Sequence, residues 1–245
     1  LVDALREDEK VRTGRISIVI PALNEAESIG FVVGEMPWGR IAECVVVDNG
    51  STDETAAIAR AAGAWVIQSA RGYGAACKAG ADAALASSEI LVWMDGDGSD
   101  VIADLDRLVG PIERDEADFA IGSRLRGRRE PGSMLPSQVF AGWLVGKLLW
   151  LTRGVRYTDM GPFRAMRRAS FAKLQMTEMT YGWNLEMQME ACERGLRIVE
   201  VPVDYRRRFG GTSKVSGDLR ASVRAAVRIV GVLLRARRKR GEPKG

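Results

Sequence analysis

The segment EILVWMDGDGSD, residues 89–100, decides the fold. An apolar run from Ile90 to Met94 ends in three carboxylates, Asp95, Asp97 and Asp100. Four readings share this pattern. Asp, Gly and Ser dominate plain turns for reasons of backbone geometry. A calcium loop fits the positions of Asp95, Asp97, Ser99 and Asp106, but needs glycine where Asp100 stands and a helix beforehand. A haloacid-dehalogenase-type phosphatase carries Asp-x-Asp after a hydrophobic strand, normally the first of its sheet, with an acidic pair further on. The fourth reading is a platform for a divalent ion bridging a diphosphate. Such an ion is held by one or two carboxylates and keeps several waters, and it offsets charge on a leaving diphosphate.

Working outward, the order of strands separates these readings. Ile16 to Ile20, Glu43 to Val47 and Ala64 to Gln68 read as short buried strands that precede Glu89 to Met94. Pro21 is expected to end the first. Asn24 reads as the cap of the next helix, with Glu25 and Glu27 in its first turn. Ser51-Thr-Asp-Glu54 reads as a capping-box helix start. An alanine-rich helix follows Gly72-Tyr-Gly74 and runs to about Ser87. Alternating strands and helices predict a mostly parallel α/β sheet with helices on both faces. Ligands bind such sheets outside the carboxyl ends of the strands. Residues 21–25, 48–53 and 95–100 should therefore meet at one rim. The Asp-x-Asp segment follows three strands, against the phosphatase order. The later strand, Ala117 to Ile121, leads into Gly-Ser-Arg124 and not into an acidic pair.

Further on, Asp104 to Glu113 reads as a helix, with Asp100 assigned to its approach. Arg124 to Pro136 reads as a basic loop. Gln138 to Leu151 and Gly182 to Arg194 read as helices, Arg197 to Val201 as a last strand, and Ser216 to Arg238 as a long helix with Arg220, Arg224 and Arg228 on one stripe. No repeat or low-complexity linker divides the chain. The expected organisation is an extension over 1–15, a catalytic domain over 16–215 and a basic amphipathic helix and tail over 216–245.

Composition narrows the chemistry. The 245 residues include no histidine and three widely separated cysteines. This removes His-dependent triads, His general bases, zinc clusters and disulfide frameworks. A bound metal would be a hard, oxygen-loving ion. Net charge is +4, and the basic residues crowd the C-terminal part, which should attract phosphates, an anionic membrane or nucleic acid. The acidic rim is of no use to a nucleic-acid binder, so no nucleic-acid partner is expected. The charged start, Leu1 to Arg15, does not read as a signal peptide, and no run reaches the roughly 20 apolar residues of a spanning helix. A cytoplasmic setting is expected, peripheral to the inner membrane face if the helices from Gln138 and Ser216 rest there. Ordinary packing of their apolar faces explains those helices equally well.

Other segments carry two readings each. Asp48, at a strand end, suits hydrogen bonds from a nucleobase, whereas Asp53 reads as a helix cap. RGYGAACKAG, residues 71–80, has the look of a dinucleotide fingerprint, but Cys77 replaces its third glycine, so close helix–sheet packing is the better reading. RRRFGGTSK, residues 206–214, reads either as a solvated loop or as a lid whose Arg and Lys clamp phosphates.

Taken in order, SIVIPALNEAESI (17–29), VVVDNGSTDET (45–55), MDGDGSD (94–100), IGSR (121–124), DMGPFRAMRR (159–168), YGWNLEMQMEACERGLRIVEVPV (181–203) and RFGGTSK (208–214) resemble family 2 glycosyltransferases, in the dolichol-phosphate mannosyltransferase-like branch. The resemblance implies a GT-A fold and inverting transfer of a hexose from a nucleoside-diphosphate sugar, UDP- or GDP-linked, to a polyprenyl phosphate. It implies Mg²⁺ or Mn²⁺ as cofactor. Matched position by position, Pro21, Leu23, Glu25, Val46, Asp48, Met94, Asp95, Gly96, Asp97, Arg124, Arg208 and Lys214 would bind the donor. Asp97 would be the direct metal ligand, with Asp95 beside it. Asp95, Asp97 and Arg124 would be catalytic. A phosphate monoester with a second pKa of ~6 needs no general base. A hydroxyl acceptor would need one, and Glu186 is the candidate. The chain departs from the branch in reading Ser137-Gln-Val-Phe-Ala where a further acceptor-side Arg is common.

Overall fold

The computed structural model describes residues 14–153 and 157–210. Lys214, most of the N-terminal extension and the basic C-terminal helix lie outside the described residues. Seven strands form one sheet: β1 (Ile16–Ala22), β2 (Glu43–Asp48), β3 (Trp65–Gln68), β4 (Ile90–Trp93), β5 (Phe119–Ser123), β6 (Arg164–Arg167) and β7 (Ile198–Pro202). Their spatial order is β3-β2-β1-β4-β6-β5-β7. Only β6 runs against its neighbours, β4 and β5. Reversal on both of its sides leaves β5 and β7 running the same way as β1 to β4. The carboxyl ends of six strands therefore lie along one edge.

The central strands β1, β2 and β4 are largely apolar because both faces are covered. Side chains alternate across the sheet. Ile16, Ile18, Ile20, Cys44, Val46 and Val92 point to the core beneath α1 (Ile29–Gly34), α2 (Thr55–Ala61) and α4 (Leu105–Glu113). Val19, Val45, Val47, Leu91 and Trp93 point to the core beneath α3 (Tyr73–Ala83) and α6 (Trp183–Glu193). At Gly80 of α3, an added Cβ would stand 2.3 Å from Val19 Cγ1 and 2.9 Å from Val47 Cγ2. Gly80 thus serves close helix–sheet packing, whereas Gly72 and Gly74 allow the close approach of the 178–179 backbone.

Local expectations change at several points. Pro21 does not end β1 but lies within it, opposite Val47. The ladder to β4 stops at Val19, so Pro21 sits where β1 is bordered on one side only. Asn24 does not cap α1. It adopts a left-handed φ of 51° and accepts the Thr52 N–H instead, tying the β1 turn to the β2 turn. No capping box forms at Ser51–Glu54. Asp53 accepts the Thr55 N–H and hydroxyl, and reaches across to the Ala26 N–H. The sequence gives no apolar signal for β6, whose Arg164 is fully buried. Its guanidinium is held by the carbonyls of Gly161 and Asn184.

The helix read from Gln138 is α5 (Pro136–Arg153). Phe140, Trp143, Leu144 and Trp150 are all exposed on it, with the Lys147 ammonium over the Trp143 ring. Among the described residues, no helix is long and apolar enough to cross a membrane.

Candidate active site

The strand ends border one cavity of about 1110 Å³. Its floor is the Asp-x-Asp turn. Asp97 Oδ1 accepts the Ser99 N–H (2.9 Å) and hydroxyl (2.6 Å), which fixes the carboxylate. Its Oδ2 takes the Arg208 guanidinium at 2.5 Å. Asp95 is half-buried and accepts the Tyr73 hydroxyl at 3.2 Å. Asp100 precedes Val101 and the helical turn Ile102–Asp104 that leads into α4, as expected, but it also has a second part. It is buried, and its Oδ2 accepts the Asp95 N–H at 3.0 Å, while its Oδ1 is buried without a partner. Asp100 therefore braces the floor from beneath and does not itself line the cavity. Burial, then the charges of Asp97 and Asp100, hold the Asp95 carboxyl well above the usual carboxylate range. Burial also pushes Asp100 up to about 7, against the lowering effect of the Asp95 N–H.

Three carboxylates thus share a turn with too little positive charge. Arg208 meets one of them. Arg124 also faces the floor, but its guanidinium is gripped by Asp159 at 2.8 Å through both Nε and Nη2. Burial opposes the Arg124 charge, yet the Asp159 bonds and charge outweigh it and hold the guanidinium ionised. Its flat face lies 4.9 Å from the Tyr205 ring centre, and Tyr205 in turn is bonded to Ser99. Among the described residues no three or more His, Cys, Asp or Glu side chains enclose an ion. The oxygen-only floor fits a hard divalent ion that keeps most of its shell for water and ligand phosphates. Asp97 and Asp95 are the carboxylates that would hold it.

Pro21, Leu23, Glu25, Asn49, Arg71 and Tyr73 form one wall of the cavity, after the ends of β1 and β2 and at the start of α3. Asn49 builds this wall. Its side-chain amide donates to Ser69 Oγ, Ala70 O and Gly72 O, and its Oδ1 accepts the Gly72 N–H. The lining also includes the apolar Leu135, Met160, Pro162 and Tyr181, together with Ser133, Arg207 and Arg208. The basic loop after β5 is clasped to the segment after β7. Tyr205 N–H donates to Arg128 O, Glu130 N–H to Tyr205 O, and Arg207 N–H to Glu130 Oε2. Arg206 pins that segment to the floor and to α1. It donates to Gly98 O and Glu35, and stacks on Phe31 and Phe209.

The structure gathers Pro21, Leu23, Glu25, Asp95, Gly96, Asp97, Arg124 and Arg208 on this cavity. Three expected positions lie elsewhere. Val46 and Met94 are core residues with no exposed side chain to offer. Asp48 is buried beside the rim, and its Oδ1 accepts the Ser51 N–H. Glu186, the candidate base, is buried and accepts from the Thr177 N–H and hydroxyl and the Glu178 N–H. It fastens the 177–178 turn and does not line the cavity. Sequence reasoning assigned no individual role to Asp159, Tyr73 or Tyr205, and it read Arg207 only as one of the arginines of the 206–214 loop. The DMG segment, which carries Asp159, was a usable signal, because a buried Arg at a strand end needs a carboxylate.

A mixed sheet of this order, with an acidic turn after its fourth strand and a polar cavity over the strand ends, defines a nucleotide-sugar transferase of the GT-A type. Residues 17–175 match the sequence profile of glycosyl transferase family 2, and the chain belongs to that family of glycosyltransferases. An uncharacterized glycosyltransferase of Mycobacterium tuberculosis is 38% identical over 210 residues, covering 85% of this chain and 93% of that protein. The polyprenol monophosphomannose synthase of Mycolicibacterium smegmatis is 31% identical, covering 84% and 83%. Among solved structures, glucosyl-3-phosphoglycerate synthase from M. tuberculosis, in complex with Mn²⁺ and UDP-glucose, superposes with a TM-score of 0.71 at 23% identity, covering 96% of this chain and 83% of that one. Family membership favours the nucleotide-sugar reading of EILVWMDGDGSD over the phosphatase and turn readings.

Proposed function

We propose that this glycosyltransferase moves a hexose, with inversion, from a UDP- or GDP-sugar to a polyprenyl phosphate, using Mg²⁺ or Mn²⁺. One observation carries the acceptor. The cavity that holds the polar strand-end groups also has an apolar wall, at Leu135, Met160, Pro162 and Tyr181. That apolar wall adjoins α5, which begins at Pro136 and exposes Phe140, Trp143 and Leu144. A lipid-borne phosphate would enter there, with its chain along α5. Aromatic and basic groups on one helix face suit a membrane surface.

The divalent ion, held by Asp97 and Asp95, would supply charge to the diphosphate as it leaves. The protein's own groups do the rest. Asn49 and the turn it builds shape the end where the nucleoside would lie. Arg208 and Arg124 offer donors to two phosphates near one another, with bidentate geometry open to Arg. A phosphate oxygen of the acceptor attacks the anomeric carbon, and the bond to the diphosphate breaks with its electron pair. No proton needs removing, in keeping with a chain without histidine and with Glu186 engaged elsewhere.

The test is release of nucleoside diphosphate on mixing protein, metal, donor and a polyprenyl phosphate, compared with the parent polyprenol. Turnover is expected with the phosphate alone. Equal turnover with a soluble hydroxyl acceptor would sink the lipid-phosphate reading.

The floor also implies a pH dependence. The folded pKa of Asp100 is raised to about 7, above its unfolded value. The native state thus binds the extra proton, and the metal-free protein loses stability as pH rises through about 7. A divalent ion competes with that proton. The rise in melting temperature on adding Mn²⁺ should therefore be larger at pH 8 than at pH 6. An equal rise at both would separate Asp100 from metal binding.

A further inference from the structure

Tyr205 stands between two groups of the floor, and its backbone is held from both sides. The Tyr205 N–H donates to Arg128 O and its carbonyl accepts the Glu130 N–H, which ties it to the loop after β5. On the other side, the Arg206 N–H donates to Ser99 O and the Phe209 N–H to Asp97 O, which ties the same segment to the Asp-x-Asp turn. The Tyr205 side chain is thereby set between Arg124 and Ser99. The Arg124 guanidinium carbon lies 4.9 Å from the Tyr205 ring centre. The hydroxyl lies 3.0 Å from Ser99 Oγ, and Ser99 Oγ lies 2.6 Å from Asp97 Oδ1.

This pair of hydrogen bonds has a direction. A serine hydroxyl has one hydrogen to donate, and a carboxylate has none. Asp97 accepts the Ser99 N–H on Oδ1 and the Arg208 guanidinium on Oδ2, so both of its oxygens are acceptors. The Ser99 hydrogen therefore goes to Asp97, and Ser99 Oγ accepts from Tyr205. Burial pushes the Tyr205 hydroxyl up to about 12, so it keeps the hydrogen that this order requires. Bonds linked in this way polarise one another. The ring has a separate part. Asp159 grips Arg124 through Nε and Nη2, along one edge of a planar group. Edge bonds leave the plane free to tilt, and an aromatic ring against its face removes that freedom.

We propose that Tyr205 is a positioning residue for two groups of the floor at once: its hydroxyl fixes Asp97 through Ser99, and its ring fixes Arg124. The inference rests on the reading given under Proposed function, in which Asp97 holds the divalent ion and Arg124 faces the phosphates. Tyr205 acts through these two residues and makes or breaks no covalent bond itself.

Both halves are tested by binding, without turnover. Mn²⁺ is titrated onto the full chain saturated with whichever of UDP or GDP binds, and free Mn²⁺ is read by electron paramagnetic resonance. Tyr205→Phe keeps the ring and deletes the hydroxyl. It should weaken Mn²⁺ binding about three- to tenfold, as for loss of one hydrogen bond. Ser99→Ala should weaken it at least as much. The double variant should bind Mn²⁺ no more weakly than Ser99→Ala alone, because the hydroxyl acts through Ser99. Unchanged Mn²⁺ affinity in Tyr205→Phe, or losses that add in the double variant, overturn the hydroxyl half. For the ring, UDP or GDP is titrated calorimetrically at saturating Mn²⁺. Tyr205→Leu should bind it about fivefold or more weakly than Tyr205→Phe. In an Arg124→Lys background, which has no flat group to stack, that gap should close. Equal affinities in Tyr205→Leu and Tyr205→Phe, or a gap that persists without Arg124, overturn the ring half. General loosening of the fold would move both readouts together in Tyr205→Phe, so a split between them marks positioning. Wild type that binds neither nucleotide nor Mn²⁺ overturns the reading under Proposed function, and this inference falls with it. Wild type that binds both but is indifferent to Tyr205 overturns this inference alone.

Discussion

Asp97→Asn is expected to remove metal-dependent donor binding and to lower kcat/KM by at least ~10²–10³-fold, the range for loss of one preorganised charge-stabilising group. The substitution is nearly isosteric. The amide oxygen can keep the Ser99 N–H and hydroxyl that Oδ1 now accepts. Two things change. The negative charge that would hold a divalent ion is gone, and an amide NH₂ now faces the Arg208 guanidinium that Oδ2 accepts in wild type. Donor meets donor, so Arg208 must leave the floor. Metal-free nucleotide affinity should change little or even rise, because Arg208 is released toward the diphosphate. Calorimetry of UDP and GDP with and without Mn²⁺ separates the two effects. A variant that keeps the full Mn²⁺-dependent gain in affinity would remove Asp97 from the metal site.

The frame of this fold is legible in sequence because it depends on short-range patterns. Strands buried on both faces are apolar without interruption, and they end in residues of high turn propensity. Hence β1, β2, β4 and the shared rim can be inferred from residues 16–22, 43–48 and 89–100. What fails is tertiary pairing. Asn24 and Asp53 have the side chains of helix caps, yet each bonds across to the other turn, at Thr52 and Ala26, because parallel neighbours bring those turns together. Strand β6 begins with a buried Arg164, and burial of a guanidinium depends on carbonyls from Gly161 and Asn184 that no periodicity reveals. Glu186 has the look of a spare carboxylate on a helix, but its partners, Thr177 and Glu178, come from a turn outside that helix. Arg207 is one of three adjacent arginines, and only the fold separates their roles. Arg206 stacks on Phe31 and Phe209, Arg208 meets Asp97, and Arg207 turns to the loop after β5.

Asp159→Asn should destabilise the protein by about 3–5 kcal/mol, because it leaves a buried guanidinium without its charge partner. Asp159 accepts the backbone N–H and Nε of Arg124 through Oδ2, and Nη2 of Arg124 and the Met160 N–H through Oδ1. Burial alone would raise its pKa, but the Arg124 bonds and charge outweigh burial and hold the carboxyl below the usual range. For a depressed carboxyl the stabilisation is present above the unfolded pKa, ~3.9, and is lost as pH falls through the folded value. Wild type should therefore lose this contribution in acid, while Asp159→Asn should show a flatter stability profile below about pH 4. Urea unfolding at pH 7 and pH 3.5 measures both effects. The pair also separates holding Arg124 in place from net stabilisation. Replacing both partners with apolar groups, as in Arg124→Met with Asp159→Leu, removes the buried charges together. This double variant should be more stable than Asp159→Asn alone, since an unpaired buried charge costs more than a lost pair. It should nonetheless be inactive, because Arg124 is one of the cations facing the floor. A double variant less stable than the single one would mean that the ion pair itself, and not the relief of an orphaned charge, stabilises this corner of the cavity.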